Sequence, residues 1–190
     1  GMDANVLSQQ FGQALPYDAY VLNGTDEQQR RWRQAYDVAK VLPDQHTLLD
    51  GFVRPMNVLV VSGIWCGDCV QQCPLMQRIA AGNAAKINLR FVDRDQHAEL
   101  AGHVRTNGGN RVPMAVFMAE DFELCGVYGD RTVGRYRALA KKQLGASCPI
   151  ALAPPDRDES AATLADWLAE FERMQLMLRL SPRLRAKHGD

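Results

Sequence analysis

Cys66 and Cys69, two residues apart, are the strongest chemical signal in the chain. They sit in the run Ser62-Gly63-Ile64-Trp65-Cys66-Gly67-Asp68-Cys69. The preceding Val58-Leu59-Val60-Val61 is β-branched and apolar and predicts a buried strand. Beyond the pair, Val70, Leu75, Met76 and Ile79 share one helical face up to Ala81. The cysteines therefore belong where a strand hands over to the first turn of a helix. Unpaired N–H groups and the positive end of the helix dipole favour an anion there, such as a thiolate. Cys66 is expected to attack a disulfide sulfur, and Cys69, one turn further in, to resolve the mixed disulfide. Thiol–disulfide exchange is the leading reading.

Two other classes compete. Cys66-x-x-Cys69-x-x-x-Cys73-Pro74 overlaps the end of a ferredoxin-type run, so metal or iron–sulfur binding through Cys66, Cys69 and Cys73 is one alternative. The earlier cysteine of that run is missing, and the three should lie along a helix rather than wrap around a cluster. Zinc would need a fourth ligand from Cys125, Cys148 or a histidine, and none is local. No metal or other cofactor is expected. The other alternative is a non-catalytic interaction module. Hydride, phosphoryl and acyl chemistry lack their Gly-rich loop, nucleophile elbow or HExxH. Cys73 reads as a small buried apolar residue, and Cys125 and Cys148 as core or surface thiols. His46, His97, His103 and His188 show no ligand spacing, and Asp93 reads as a strand-end charge.

The 190 residues suit one well-buried domain with extensions. Lys+Arg and Asp+Glu balance at 22 each, so no overall field points to nucleic acid or to an anionic membrane. No apolar run approaches the roughly 20 residues that cross a bilayer. Met2-Asp3-Ala4-Asn5 lacks the order of a secretion signal, which makes the cytoplasm the expected compartment. Five cysteines, three of them within Cys66–Cys73, suit redox or metal chemistry better than a disulfide framework.

The remaining elements follow from pattern. Residues up to Asn23 give no assignment. Thr25-Asp26-Glu27-Gln28 is a capping box opening a helix to about Leu42, with Trp32, Tyr36, Ala39 and Val41 on its apolar stripe. A short helix over Pro43–Phe52 precedes the motif strand at about Asn57–Ser62. A second strand is expected over Ile87–Asp93, then a helix capped by Asp95 and running to about Arg105. A strand over Arg111–Met118 and an antiparallel partner over Phe122–Val127 come next, and Thr132–Leu144 is helical. Pro149, Pro154 and Pro155 punctuate a linker. Asp156 is expected to cap a last helix with Leu164, Trp167, Leu168, Phe171, Met174 and Leu178 as a core stripe. Arg179, Arg183, Arg185 and Lys187 read as a solvated basic tail.

Strand, Trp-Cys-Gly-x-Cys, helix, strand, helix, then Val-Pro opening a strand with a hairpin partner resembles the thioredoxin superfamily. Trp65 before the first cysteine, Pro74 five residues after Cys69, and Val112-Pro113 match together over about Asn57–Gly129. WCGDC with Asn107-Gly108-Gly109-x-x-x-Pro113 is similar to bacterial thioredoxin-like proteins. The resemblance implies an α/β thioredoxin-like fold, a central mixed β-sheet flanked by helices with helical N- and C-terminal extensions. The implied division is a helical extension over 1–54, a core over 55–148, and a linker, helix and basic tail over 149–190.

The resemblance further implies a disulfide oxidoreductase with Cys66 and Cys69 catalytic and Pro113 cis beside Cys66. Val112, through its backbone, would pair with an extended substrate, and Trp65, Gly67 and Asp68 would complete the active-site surface. The implied partners are a disulfide-containing protein or low-molecular-weight substrate and a reductant, the chain acting as monomer or homodimer. Two positions depart from the family. Asp68 stands where proline is usual, and its carboxylate is expected to disfavour the Cys66 thiolate. Val60 stands where a buried aspartate is usual, leaving Asp68 as a substitute proton acceptor. A moderately reducing couple is expected.

Overall fold

Every residue of the apolar run before the motif is buried in β1 (Met56–Ser62). Its neighbours explain why: β2 (Ile87–Asp93) runs parallel to it on one side and β3 (Met114–Ala119) antiparallel on the other. β4 (Leu124–Gly129) pairs antiparallel with β3, giving a mixed sheet in the order β2-β1-β3-β4. A central strand covered on both faces has no solvent side, so its sequence reads as a continuous apolar run. The computed structural model describes residues 1–145 and 158–190. The fold is α/β and thioredoxin-like.

Helices flank the sheet and extend it at both ends. The N-terminal residues, which the sequence left unassigned, form α1 (Ala4–Gln13), capped by Asp3, and the short α2 (Tyr17–Val21). Between them Leu15 and Phe91 exchange backbone hydrogen bonds of 2.9 and 2.7 Å, adding one bridge to the free edge of β2. α3 (Asp26–Val38) opens on the expected capping box, both arms of which are made by Thr25 and Gln28. It stops at Val38, short of the expected Leu42. Leu42 instead precedes α4 (Pro43–Asp50), with Pro43 in its first turn where a missing N–H costs nothing.

α5 (Gly67–Ala81) carries the cysteines and holds Pro74 within it. α6 is shorter than expected, Ala98–Gly102. The Asp93 carboxylate accepts the N–H groups of Asp95 and Gln96, so the turn is closed before Asp95 can cap a helix, and Asp95 pairs with Arg94 instead. β3 begins at Met114 because Arg111–Pro113 form a loop. β4 starts two residues later than expected: Phe122 takes a left-handed conformation and its ring packs on Phe11, and a register shift follows at Phe117/Met118.

α7 (Val133–Leu144) is capped by Thr132. α8 (Glu159–Leu180) is capped by Asp158; Asp156, the linker prolines and Cys148 lie outside the described residues. Its stripe packs within the chain, with Trp167 edge-on to Tyr128 and Phe171 edge-on to Phe117. The basic tail is not a free solvated segment. It forms α9 (Pro182–His188), whose Arg183 pairs with Asp121 and whose Lys187 and His188 pair with Glu120 in the β3–β4 turn. Among the described residues, no helix is long and apolar enough to cross a membrane.

Candidate active site

The turn from β1 into α5 is built before any cysteine is considered. Trp32 of α3 is fully buried and donates its indole N–H to the Ile64 carbonyl at 2.9 Å. Gly63 lies against the Trp65 indole, where a Cβ would come within 2.7 Å of the ring. Cys66 is the residue before the first helical turn, in an extended conformation. It is half-buried, whereas Cys69 is fully buried. Both are free thiols in this structure.

On the open side, the Val112–Pro113 peptide bond is cis, and Cys66 Sγ lies 3.8 Å from the Val112 carbonyl oxygen. A side chain at Gly129, the end of β4, would strike the Pro113 carbonyl, so this position needs glycine for close approach. Trp65 is 48% exposed beside the cysteine, with the Arg94 guanidinium 4.7 Å above its ring. Arg94 also donates to the Asn110 carbonyl, tying that aromatic surface to the Arg111–Pro113 loop. Cys66, Trp65, Val112 and Pro113 thus share one face, and Gly67 leaves the helix start uncrowded, with nothing near the position of a Cβ.

Asp68 is not a free carboxylate. Its carboxylate is held by Arg131 at 2.9 Å and Arg135 at 3.1 Å, and Arg135 also pairs with Glu159 at the start of α8. Its negative charge is offset by two guanidiniums, and its oxygens are committed to them rather than to Cys69. The neighbouring Asp130 is buried. It accepts from the Tyr136 hydroxyl and lies 3.4 Å from Arg111. Sequence reading missed these arginines because they come from a segment more than 60 residues away, with no spacing that ties them to the motif.

The buried side is a polar pocket under the thiols. Cys69 Sγ accepts from the Gly63 N–H at 3.4 Å, and the Ser62 hydroxyl is 3.7 Å from Cys73 Sγ. Both thiols are displaced upward: Cys66 by its side-chain contact with Cys69 first and burial second, Cys69 chiefly by burial. The N–H groups of Cys69 and Asp68 act in the opposite direction on Cys66. The contact between the two sulfurs raises Cys66 and lowers Cys69, while burial raises both and is the leading cause at Cys69. The Asp68 carboxylate is not the leading cause of either displacement.

Deeper still, Gln72 is fully buried and joins three segments. Its amide nitrogen donates to the Asp130 carbonyl at 2.9 Å, and its oxygen accepts from the Thr132 N–H and the Trp167 indole at 3.3 and 3.1 Å. A glutamine at 72 in helical register with Leu75, Met76 and Ile79 was the one sequence cue to this hub. Cys73 is buried, as expected, while Cys125 is half-buried on β4. Cys66, Cys69 and Cys73 lie along one helix, and no group of three or more His, Cys, Asp or Glu among the described residues is arranged to hold a metal ion.

Known proteins can be set beside this geometry. No curated protein matches the chain. The crystal structure of a Pseudomonas aeruginosa protein of unknown function is similar to it at 20% identity and a TM-score of 0.62, covering 85% of this chain and 95% of the other. The crystal structure of an HIV epitope scaffold is similar at 15% identity and a TM-score of 0.63, covering 86% and 97%. At these identities the likeness shows the fold. A family model described as Thioredoxin matches residues 14–141, reaching well before and after the stretch in which the motifs stand. With that match over most of its length, this chain belongs to the thioredoxin family.

Proposed function

We propose that the protein is a thiol–disulfide oxidoreductase that reduces disulfides through Cys66 and Cys69. The observation that carries the reading is the pairing of a half-buried Cys66 at the start of α5, 3.8 Å from the Val112 carbonyl, with a wholly buried Cys69 behind it. One sulfur is open to a partner and the other is reachable only from within. Cys66 as thiolate attacks a disulfide sulfur of the substrate, which releases one substrate thiolate and leaves a mixed disulfide. Cys69 then attacks Cys66 Sγ, releases the second substrate thiol and closes the Cys66–Cys69 disulfide. A separate reductant restores the dithiol.

The substrate is a disulfide-bearing protein or small molecule. An extended segment would lie along the Val112 backbone, with Trp65 as the apolar contact beside the sulfurs. The family, the WCGDC motif and the free thiols together suit a bacterial reductase of the cytoplasm. Replacing Cys69 by serine should trap a mixed disulfide that disappears when Cys66 is also replaced; an adduct independent of Cys66 overturns the assignment. Equilibration in glutathione or dithiothreitol buffers should give a two-electron couple at about −230 to −280 mV, whereas about −120 mV would point to disulfide formation instead.

A further inference from the structure

Resolution of the mixed disulfide asks more of Cys69 than of Cys66. Cys69 is fully buried, and burial holds its proton on. Once Cys66 is tied up in a mixed disulfide, it can no longer share a proton or donate to its neighbour. The groups facing Cys69 are then few: the Gly63 N–H at 3.4 Å, the thiol of Cys73 on its own helix, and the Ser62 hydroxyl from the end of β1. Ser62 is fully buried, and its oxygen lies 3.7 Å from Cys73 Sγ, so in the dithiol state its proton has only a weak sulfur contact.

Tyr20 of α2 completes the surroundings. It is 5% exposed, its ring stacks on Phe91 at 5.3 Å, and its hydroxyl lies beside Ser62. That hydroxyl has no hydrogen-bond partner among the described residues. A buried hydroxyl without a partner is unfavourable as long as it stays unpaired, and phenylalanine would fill the same space without that cost. The charged group that faces Tyr20 is Asp93 at the end of β2, across a cleft of about 340 Å³ lined by Tyr20, Ile64, Asp93 and His97. A negative charge arising on Cys69 is what would give both hydroxyls a partner.

We propose that Ser62 and Tyr20 form a buried hydroxyl pair that stabilises the Cys69 thiolate while it resolves the mixed disulfide. Ser62 donates to Cys69 Sγ, and Tyr20 donates to the Ser62 oxygen and so orients it. This rests on the dithiol exchange proposed above. The electron pair moves from Cys69 Sγ to Cys66 Sγ, the bond from Cys66 Sγ to the substrate sulfur breaks, and the proton given up by Cys69 passes to the departing thiolate, or to solvent where that thiolate is a weak base. In the proposed state Ser62 turns from Cys73 to the reacting sulfur, and Tyr20 is a positioning residue that acts through Ser62. Hydrogen bonds from two buried hydroxyls in series polarise each other.

The test is a single turnover of the reduced full-length chain with an aromatic disulfide whose thiolate absorbs in the visible. The first released thiolate reports attack by Cys66 and the second reports resolution by Cys69. Ser62→Ala should slow the second release about tenfold at pH 7 and move its pH profile upward, leaving the first release within twofold. Tyr20→Phe should do the same more weakly. Tyr17→Phe removes another buried hydroxyl without a partner, one that faces Cys73 rather than Ser62, and should change neither step. Unchanged rates and pH profiles of the second release in both Ser62→Ala and Tyr20→Phe overturn the proposal. If Ser62→Ala does not fold, Tyr20→Phe decides alone. The absence of any Cys66-dependent first release would instead overturn the oxidoreductase reading itself.

Discussion

Trp32 and Trp167 reach the active-site element from opposite ends of the chain. Both are fully buried, and both donate an indole N–H. Trp32, from α3, bonds the backbone carbonyl of Ile64, two residues before Cys66. Trp167, from α8, bonds the side chain of Gln72, which in turn holds Asp130 and Thr132. The N-terminal extension thus grips the turn that leads into Cys66. The C-terminal extension grips a hub inside α5 and, through Arg135 and Glu159, the carboxylate between the cysteines. Neither extension is an appendage to the site: one fixes its geometry, and the other its buried wiring and its charge.

The largest expected effect follows from removing the hub. Gln72→Leu keeps the volume but leaves the Thr132 N–H, the Asp130 carbonyl and the Trp167 indole without their partner. At about 1–3 kcal/mol for each buried group left unpaired, partly relieved by rearrangement, stability should fall by on the order of 3 kcal/mol. Trp32→Phe orphans one carbonyl and leaves a small void, for about 1–2 kcal/mol. Urea unfolding with an unchanged slope checks both. The division of labour also predicts that Trp32→Phe alters the rate of Cys66 alkylation more than Gln72→Leu does. Equal changes in the two variants would break the comparison.

A smaller effect sharpens the electrostatic half. Asp68→Asn removes the carboxylate but leaves Arg131 and Arg135 over the first turn of α5. The pH profile of Cys66 alkylation should then move down, giving a few-fold faster reaction at pH 7. Arg135→Gln leaves Asp68 with only one cation and should move the profile up. Both changes should shrink as salt is raised, since the cluster is partly open to solvent. A profile that stays put in both variants would mean that the cluster of Asp68, Arg131 and Arg135 does not tune Cys66.

The sequence made the local parts of this arrangement legible. Thr25 and Gln28 announced a cap, Val58–Val61 a covered strand, and Trp65–Cys69 the turn from that strand into α5. Each of these is a contact between near neighbours or a pattern set by burial on one element. What stayed hidden depends on distant partners. An indole bonding a main-chain carbonyl, as Trp32 does to Ile64, leaves no mark at the acceptor, because every residue has a carbonyl. Asp68 read as a free charge because Arg131 and Arg135 stand more than 60 residues on. The basic end of the chain read as solvated because its acidic partners, Glu120 and Asp121, belong to a turn between strands.

The smallest effect separates how the two extensions are fastened. On the N-terminal side the acceptors are neutral carbonyls: Trp32 to Ile64, the paired backbone bonds of Leu15 and Phe91, and Arg90 to the Phe11 carbonyl at 3.0 Å. On the C-terminal side carboxylates join the neutral contacts of Trp167 and Gln175. The Asp190 carboxyl is held down to about 2, first by its hydrogen bond from Arg54 and also by the charge of Arg179. Asp121 is lowered too, the Arg183 guanidinium outweighing the upward push of burial. A carboxyl depressed in the folded state adds stability above its unfolded value of 3.8, and the contribution is lost as pH falls from there toward 2. Acid should therefore loosen α9 and the Val53–Arg54 segment before α3. Amide exchange compared at pH 5 and pH 2.5, corrected for intrinsic rates, should show protection falling first around Arg54 and Leu184 and persisting around Trp32. Simultaneous loss in both places would show that the two extensions are held as one cooperative unit, whatever fastens each of them.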